Sequence, residues 1–97
     1  MIVSFADKAT EDLFHGSDTS RVRRFPPDVV EAAIRKFDMM NAVDDLGELR
    51  LPPGNRLKKL RGDLREFHSL RVNDQWRIAF RWSPQGPQEV KLTDYHD

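Results

Sequence analysis

Between Phe67 and Trp82 the chain reads Phe-His-Ser-Leu-Arg-Val-Asn-Asp-Gln-Trp-Arg-Ile-Ala-Phe-Arg-Trp, two alternating runs on either side of Asn73-Asp74. Side chains along a strand alternate with period two, so Trp76, Ile78, Phe80 and Trp82 fall on one face and Gln75, Arg77, Ala79 and Arg81 on the other. Asn73-Asp74 tolerates the positive φ of a tight hairpin turn, and the stretch predicts two antiparallel strands. One face of this hairpin supplies rings and branched carbons for a core. The other presents guanidinium groups to whatever binds there.

The remaining segments build around that hairpin. Ile2, Val3 and Phe5 make a short apolar opening that suits an edge or second-from-edge strand. Asp7 is a good N-cap for a helix carrying Ala9, Leu13 and Phe14 on one stripe, and Gly16 is placed to stop it. His15 at its end reads as a cation at the negative end of the helix dipole. After a turn at residues 16–20 and a basic cluster of Arg21, Arg23 and Arg24, Pro26-Pro27 opens a second helix. It runs from Asp28 to Val43, with Val30, Ala33, Ile34, Phe37 and Met40 at helical spacing. Met39 and Met40 read as apolar fillers. Asp44 to Leu51 reads as a short turn or helix, and Pro52-Pro53-Gly54-Asn55 breaks the chain. A short strand is expected from Leu57 to Leu60, a turn at Arg61-Gly62-Asp63, and a last strand from about Glu89 to Thr93 with Val90 and Leu92 inward. The order predicts an α+β fold: two N-terminal helices packed on one face of a small, mainly antiparallel sheet, its other face open under Arg71, Arg77 and Arg81.

Ninety-seven residues suit a single domain over 1–97. There are no cysteines, which excludes disulfide staples and thiolate metal sites. No long apolar run appears, so neither a signal peptide nor a membrane span is predicted, and a cytoplasmic protein is expected. Net charge is zero, yet the halves differ: residues 1–50 hold seven Lys/Arg and ten Asp/Glu, residues 51–97 nine and six. Between Arg50 and Arg81 nine bases meet three acids. A local basic surface of this kind attracts phosphates, although a solvated sheet face has the same composition.

Candidate chemistry gathers at the end of the last strand. Asp94-Tyr95-His96 sets an acceptor, a phenol and an imidazole side by side, and histidine exchanges protons near neutrality. Metal-free RNA cleavage needs a proton removed from the 2′-hydroxyl, charge stabilised on the phosphate, and a proton given to the leaving 5′-oxygen. Arginine serves the second need through bidentate hydrogen bonds. Asp94, Tyr95 and His96 are candidates for the other two, with no residue assigned to either. No Walker loop, dinucleotide fingerprint or nucleophile elbow is present, and histidines at 15, 68 and 96 have no metal-binding spacing. His68 alternates with Leu70 and Val72, so it is expected against the core with a hydrogen-bond partner.

The combination of Pro52-Pro53-Gly54-Asn55-Arg56-Leu57, Leu60 with Gly62-Asp63, Ser69-Leu70-Arg71-Val72-Asn73-Asp74-Gln75-Trp76-Arg77-Ile78 and Asp94-Tyr95-His96 resembles the HigB branch of the RelE/ParE toxin superfamily. Ile2-Val3-Ser4-Phe5 and Leu13-Phe14 fit the same pattern, and Arg71 to Arg77 is its most specific part. The resemblance implies a RelE-like fold and the toxin of a type II toxin–antitoxin pair, a ribosome-dependent endoribonuclease that cuts messenger RNA without metal or cofactor. It implies a HigA-like helix-turn-helix antitoxin as partner, and operator DNA reached through the complex. By position, Arg77 would hold phosphate, with Asp94, Tyr95 and His96 lining the cleft. Arg56, Arg61, Arg71 and Arg81 are the further candidate RNA and phosphate contacts. Lys58 stands where many of these toxins have a histidine, so a charge-stabilising role replaces that of a candidate base, and weaker catalysis is expected. The superfamily's ParE-like members act without cutting RNA. A non-nucleolytic toxin, or a weakened module binding RNA or antitoxin, is therefore the alternative.

Overall fold

The computed structural model describes residues 1–51 and 53–94. Its second half is a four-stranded antiparallel sheet in the order β1-β2-β3-β4, formed by Lys58–Lys59, Phe67–Arg71, Trp76–Ser83 and Gly86–Asp94. Two helices, α1 (Lys8–Phe14) and α2 (Pro27–Ala42), pack on one face. The expected α+β architecture is present.

Each helix starts where the sequence predicts. Asp7 caps α1 by accepting from Thr10 N at 2.9 Å, and Gly16 follows the helix at φ +72°. The Thr10 hydroxyl is fully buried and accepts from Leu92 N at 3.1 Å, tying α1 to β4. The buried stripe of α2 is Val29, Ala33, Phe37 and Met40, which differs from the expected set. Ile34 is 38% exposed and Val30 only half-buried, because the i, i+4, i+8 row through Val29 is the one aligned with the sheet. Leu70, Ile78, Phe80, Val90 and Leu92 face that row, and each such side chain contributes roughly 1.5–3 kcal/mol on burial.

The turns differ from expectation in instructive ways. Among described residues the non-glycine positive φ values belong to Arg56 and Glu89, so Asn73-Asp74 does not form the expected turn. Instead Asn73 Oδ1 accepts from Gln75 N and Trp76 N, both at 2.8 Å, and the side chain builds the turn in place of backbone strain. The strand β4 begins at Gly86, ahead of the expected Glu89, because Pro84-Gln85 alone closes the turn between Ser83 and Gly86. Pro87 is accommodated there, its carbonyl accepting from Val3 N at 2.7 Å. The expected Leu57–Leu60 strand narrows to Lys58–Lys59. The opening segment lies along β4 in the parallel sense, with one bridge between Phe5 and Val90. No helix among the described residues is long and apolar enough to cross a membrane.

Candidate functional site

Cross-strand partners share a face, so the register lays out the side of the sheet turned away from the helices. One row across it is Lys58, Ser69, Ala79 and Lys91; the next is Arg71, Arg77 and Thr93. Arg77 thus stands on an inner strand, at the hairpin end of the sheet, with a row containing two lysines beside it. Its guanidinium is held in place: Nε donates to Ser69 Oγ at 2.7 Å, and Nη2 donates to the carbonyls of Arg56 at 2.7 Å and Ser69 at 3.2 Å.

That arrangement depends on a residue far from the sheet row. Asn55 is fully buried and donates to the Leu49 carbonyl at 3.1 Å and to Met39 Sδ at 2.9 Å, while its Oδ1 accepts from Lys36 Nζ. The next residue, Arg56, takes φ +42°, a conformation that a non-glycine residue adopts at a cost of order 1–3 kcal/mol. Its carbonyl is the one that meets Arg77. Burial and the neighbouring charges of Arg35 and Arg71 lower the Lys36 pKa.

The other cations have distinct surroundings. Arg71 pairs with Asp74 at the hairpin tip. Arg81 donates to Glu89 at 2.9 Å and to Glu66 at 3.2 Å and lies 6.0 Å from the centre of the Phe67 ring. Its charge is already met by two carboxylates. Arg56 is exposed, and the contact it supplies to Arg77 is its backbone carbonyl. Arg61 is exposed in the turn after β1, outside both rows. Of the N-terminal cluster, Arg21 pairs with the buried Asp12 at 2.9 Å and Arg23 with Asp18 at 2.9 Å.

Asp94 is the last residue of β4. It stands opposite Trp76, whose ring meets Phe25 edge-on, so it shares the helix-side row and accepts from Gln75 Nε2 at 3.0 Å. Tyr95 and His96 lie outside the described residues. Ser69, Asn55, Glu89, Lys91 and Thr93 belong to the site, and the sequence reading did not single them out as site residues. Lys91 and Thr93 were accessible to it, since they alternate out of phase with the inward Val90 and Leu92.

His68 faces the core side of β2, stacked 6.1 Å from Phe80, as expected. Among the described residues its Nδ1 is buried without the expected hydrogen bond. Burial, reinforced by Lys59 and Arg50, holds its pKa below the usual 6.5. The unfolded chain therefore takes up this proton first as pH falls. Stability drops through about pH 6.5 toward the folded pKa and is insensitive to this ring at higher pH. A His68→Phe protein is expected to lose that part of the acid slope. Denaturant midpoints measured from about pH 7.5 down to pH 5 test this, and equal slopes in the two proteins would clear His68.

Among the described residues no group of three His, Cys, Asp or Glu side chains is arranged to hold a metal ion. The family described as "RelE-like toxin of type II toxin-antitoxin system HigB" matches residues 3–96. Toxin HigB-1 of Vibrio cholerae serotype O1 (strain ATCC 39315 / El Tor Inaba N16961) is 38% identical over 82 residues, 84% of either chain. Endoribonuclease HigB of Proteus vulgaris is 29% identical over 96 residues, covering 99% of this chain and 100% of the relative. Among solved structures, the YoeB-YefM complex from Staphylococcus aureus contains a chain of similar fold. Its TM-score is 0.60 at 18% identity, with 100% of this chain and 97% of that one covered.

Proposed function

Since the chain belongs to the HigB-like family, the RelE-like toxins of type II toxin–antitoxin systems, we propose that it is an endoribonuclease that cuts messenger RNA on the translating ribosome. On this reading it needs no metal ion and halts translation in the cytoplasm. Its partner is a HigA-like helix-turn-helix antitoxin, through which the pair reaches its operator DNA. The observation that carries the reading is Arg77, fixed by Ser69 and Arg56 on an inner strand of an open sheet face, beside the row of Lys58 and Lys91.

In this mechanism the scissile phosphate rests against Arg77, whose positive charge meets the negative charge that builds on the phosphoryl oxygens. Lys58 adds a second cation in the neighbouring row. The 2′-hydroxyl loses its proton as its oxygen attacks phosphorus, and the departing 5′-oxygen receives one. Tyr95 and His96, which follow Asp94 in the sequence, carry these transfers, with His96 the group best matched to neutral pH, while Asp94, on the helix-side row, accepts from Gln75. Arg71 and Arg61 steer the flanking RNA. Arg81, already paired with Glu66 and Glu89, shapes the face more than it attracts phosphate.

Mapping new messenger-RNA 5′ ends in a cell-free translation reaction, with and without EDTA, tests the reading. Discrete EDTA-insensitive cuts in translated frames support it. Absence of cuts from folded protein overturns the nuclease reading and favours a toxin that does not cleave RNA. Lys58 gives a sharper expectation within the same assay. Lys58→Ala is expected to slow cutting roughly 10–100-fold, the kinetic equivalent of one lost charge-assisted contact, and Lys58→Arg to keep most of the rate. Loss of cutting in Lys58→Arg with RNA binding intact would mean that charge alone is not its contribution.

A further inference from the structure

On the reading that RNA crosses the open face, we propose that the trough over Ala79 is a nucleobase pocket. It receives one unstacked, amino-bearing base next to the phosphate held at Arg77. In β3 the outward series is Arg77, Ala79, Arg81, so a methyl group stands between two long side chains. The depression it leaves has a volume of about 290 Å³. Leu60, Leu64 and Phe67 wall one side, and Glu89, Lys91 and Thr93 the other.

Three features select a base as the occupant. The first is size: a helix with its side chains is about 10–12 Å across and does not fit such a space, whereas a flat ring does. The second is the distribution of polarity. Floor and one wall are apolar, and polar atoms gather at one rim, which matches a nucleobase with apolar faces and a hydrogen-bonding edge. Leu64 is 47% exposed, and a ring seated beside it would cover apolar surface that the fold leaves open. The third is the sign of charge. Arg77 and Ala79 are two residues apart on one strand, about 7 Å, so a phosphate at Arg77 leaves its base within reach of the trough. Glu89 on the rim repels phosphate, which keeps the RNA backbone on the Arg77 side and turns the base inward.

Glu89 also sets the base preference. It takes φ +53° at the register shift between Ala79 and Arg81, where its backbone N donates to Ser4 Oγ at 2.9 Å. This bulge aims the side chain across the sheet face, and Arg81 Nη1 holds it at 2.9 Å. A carboxylate only accepts hydrogen bonds and retains lone pairs beyond the one Arg81 uses. It therefore welcomes the exocyclic amino group of adenine, cytosine or guanine and opposes the carbonyl edge of uracil. Lys91 offers the complementary donor to a neighbouring ring nitrogen or carbonyl.

Amide NMR shifts measured on the folded protein test the pocket, with a short oligoadenylate as probe and a matched strand carrying one abasic site as control. The proposal expects shifts at Leu64, Ala79 and Lys91 that are lost at one abasic position while Arg77 still responds, and their loss in Ala79→Leu, which fills the trough. Cut-site mapping adds a second arm: wild type avoids uracil at one position near the cut, and Glu89→Gln, able to donate as well as accept, relaxes that bias several-fold. Shifts at Arg77 alone, or an unchanged bias in both variants, would overturn the pocket. RNA shifts at the trough without any cleavage would keep the pocket and sink the nuclease reading. Trough shifts produced by the antitoxin and not by RNA would assign the groove to the antitoxin and overturn the proposal.

Discussion

An Arg77→Ala protein is expected to cut RNA about 10²–10³-fold more slowly than wild type, the usual cost of removing one preorganised donor from developing charge. The substitution also has a structural consequence. Arg77 is the donor to Ser69 Oγ and to the carbonyls of Ser69 and Arg56, and Ser69 is only 1% exposed. Leaving those acceptors unmet costs about 1–3 kcal/mol of stability. Cleavage must therefore be compared at a temperature where both proteins are fully folded. Added guanidinium ion separates the two effects, since it can reoccupy the vacated site without any change in the chain. Partial recovery of cutting with guanidinium, at wild-type cut positions, is the expected result. Undiminished cutting by folded Arg77→Ala would remove this residue from the mechanism.

The hairpin itself was legible because its information is local. Alternation over Trp76 to Trp82 separates Ile78 and Phe80 from Arg77 and Arg81, and the register places them on opposite faces. What supports Arg77 was not legible, because its partners are distant in sequence: Arg56 is 21 residues away, and Asn55 is set by Lys36, Met39 and Leu49. A single asparagine after Pro-Pro-Gly reads as a turn residue, and nothing local says that its amide will be buried. Arg81 illustrates the same limit. Period-two reasoning groups it with Arg77 as a cation for RNA, but Glu66 and Glu89 reach it from β2's approach and from the β4 bulge. A bulge shifts the phase of a strand by one residue, so alternation alone cannot foresee which way Glu89 points. The α2 stripe failed for a related reason. Helical periodicity gives the spacing of a buried row, and the sheet decides between Val29 and Val30.

The N-terminal segment gives the second large expectation, through Gly86. This residue takes φ +130°, and a Cβ built on it would lie 2.1 Å from the Met1 carbonyl oxygen. A side chain there meets backbone, which cannot rotate aside. Gly86→Val therefore combines backbone strain of about 1–3 kcal/mol with an overpacking cost of similar size. For a chain of this length a Tm at least about 10 °C lower is expected, read by thermal unfolding. The segment that would be pushed away carries more than its own edge. Ile2 N donates to Asn41 Oδ1 at 2.9 Å, Ala6 N to the Val90 carbonyl at 2.9 Å, and Ser4 Oγ accepts from the N–H of the strained Glu89. Displacing it loosens the bulge that aims Glu89 at Arg81, so base preference at the cut should weaken even where the protein stays folded. Trimming Met1 from Gly86→Val removes the clashing carbonyl and is expected to restore part of the lost Tm. No recovery would mean that the strained φ, and not the contact with the N-terminal segment, makes glycine necessary at this corner.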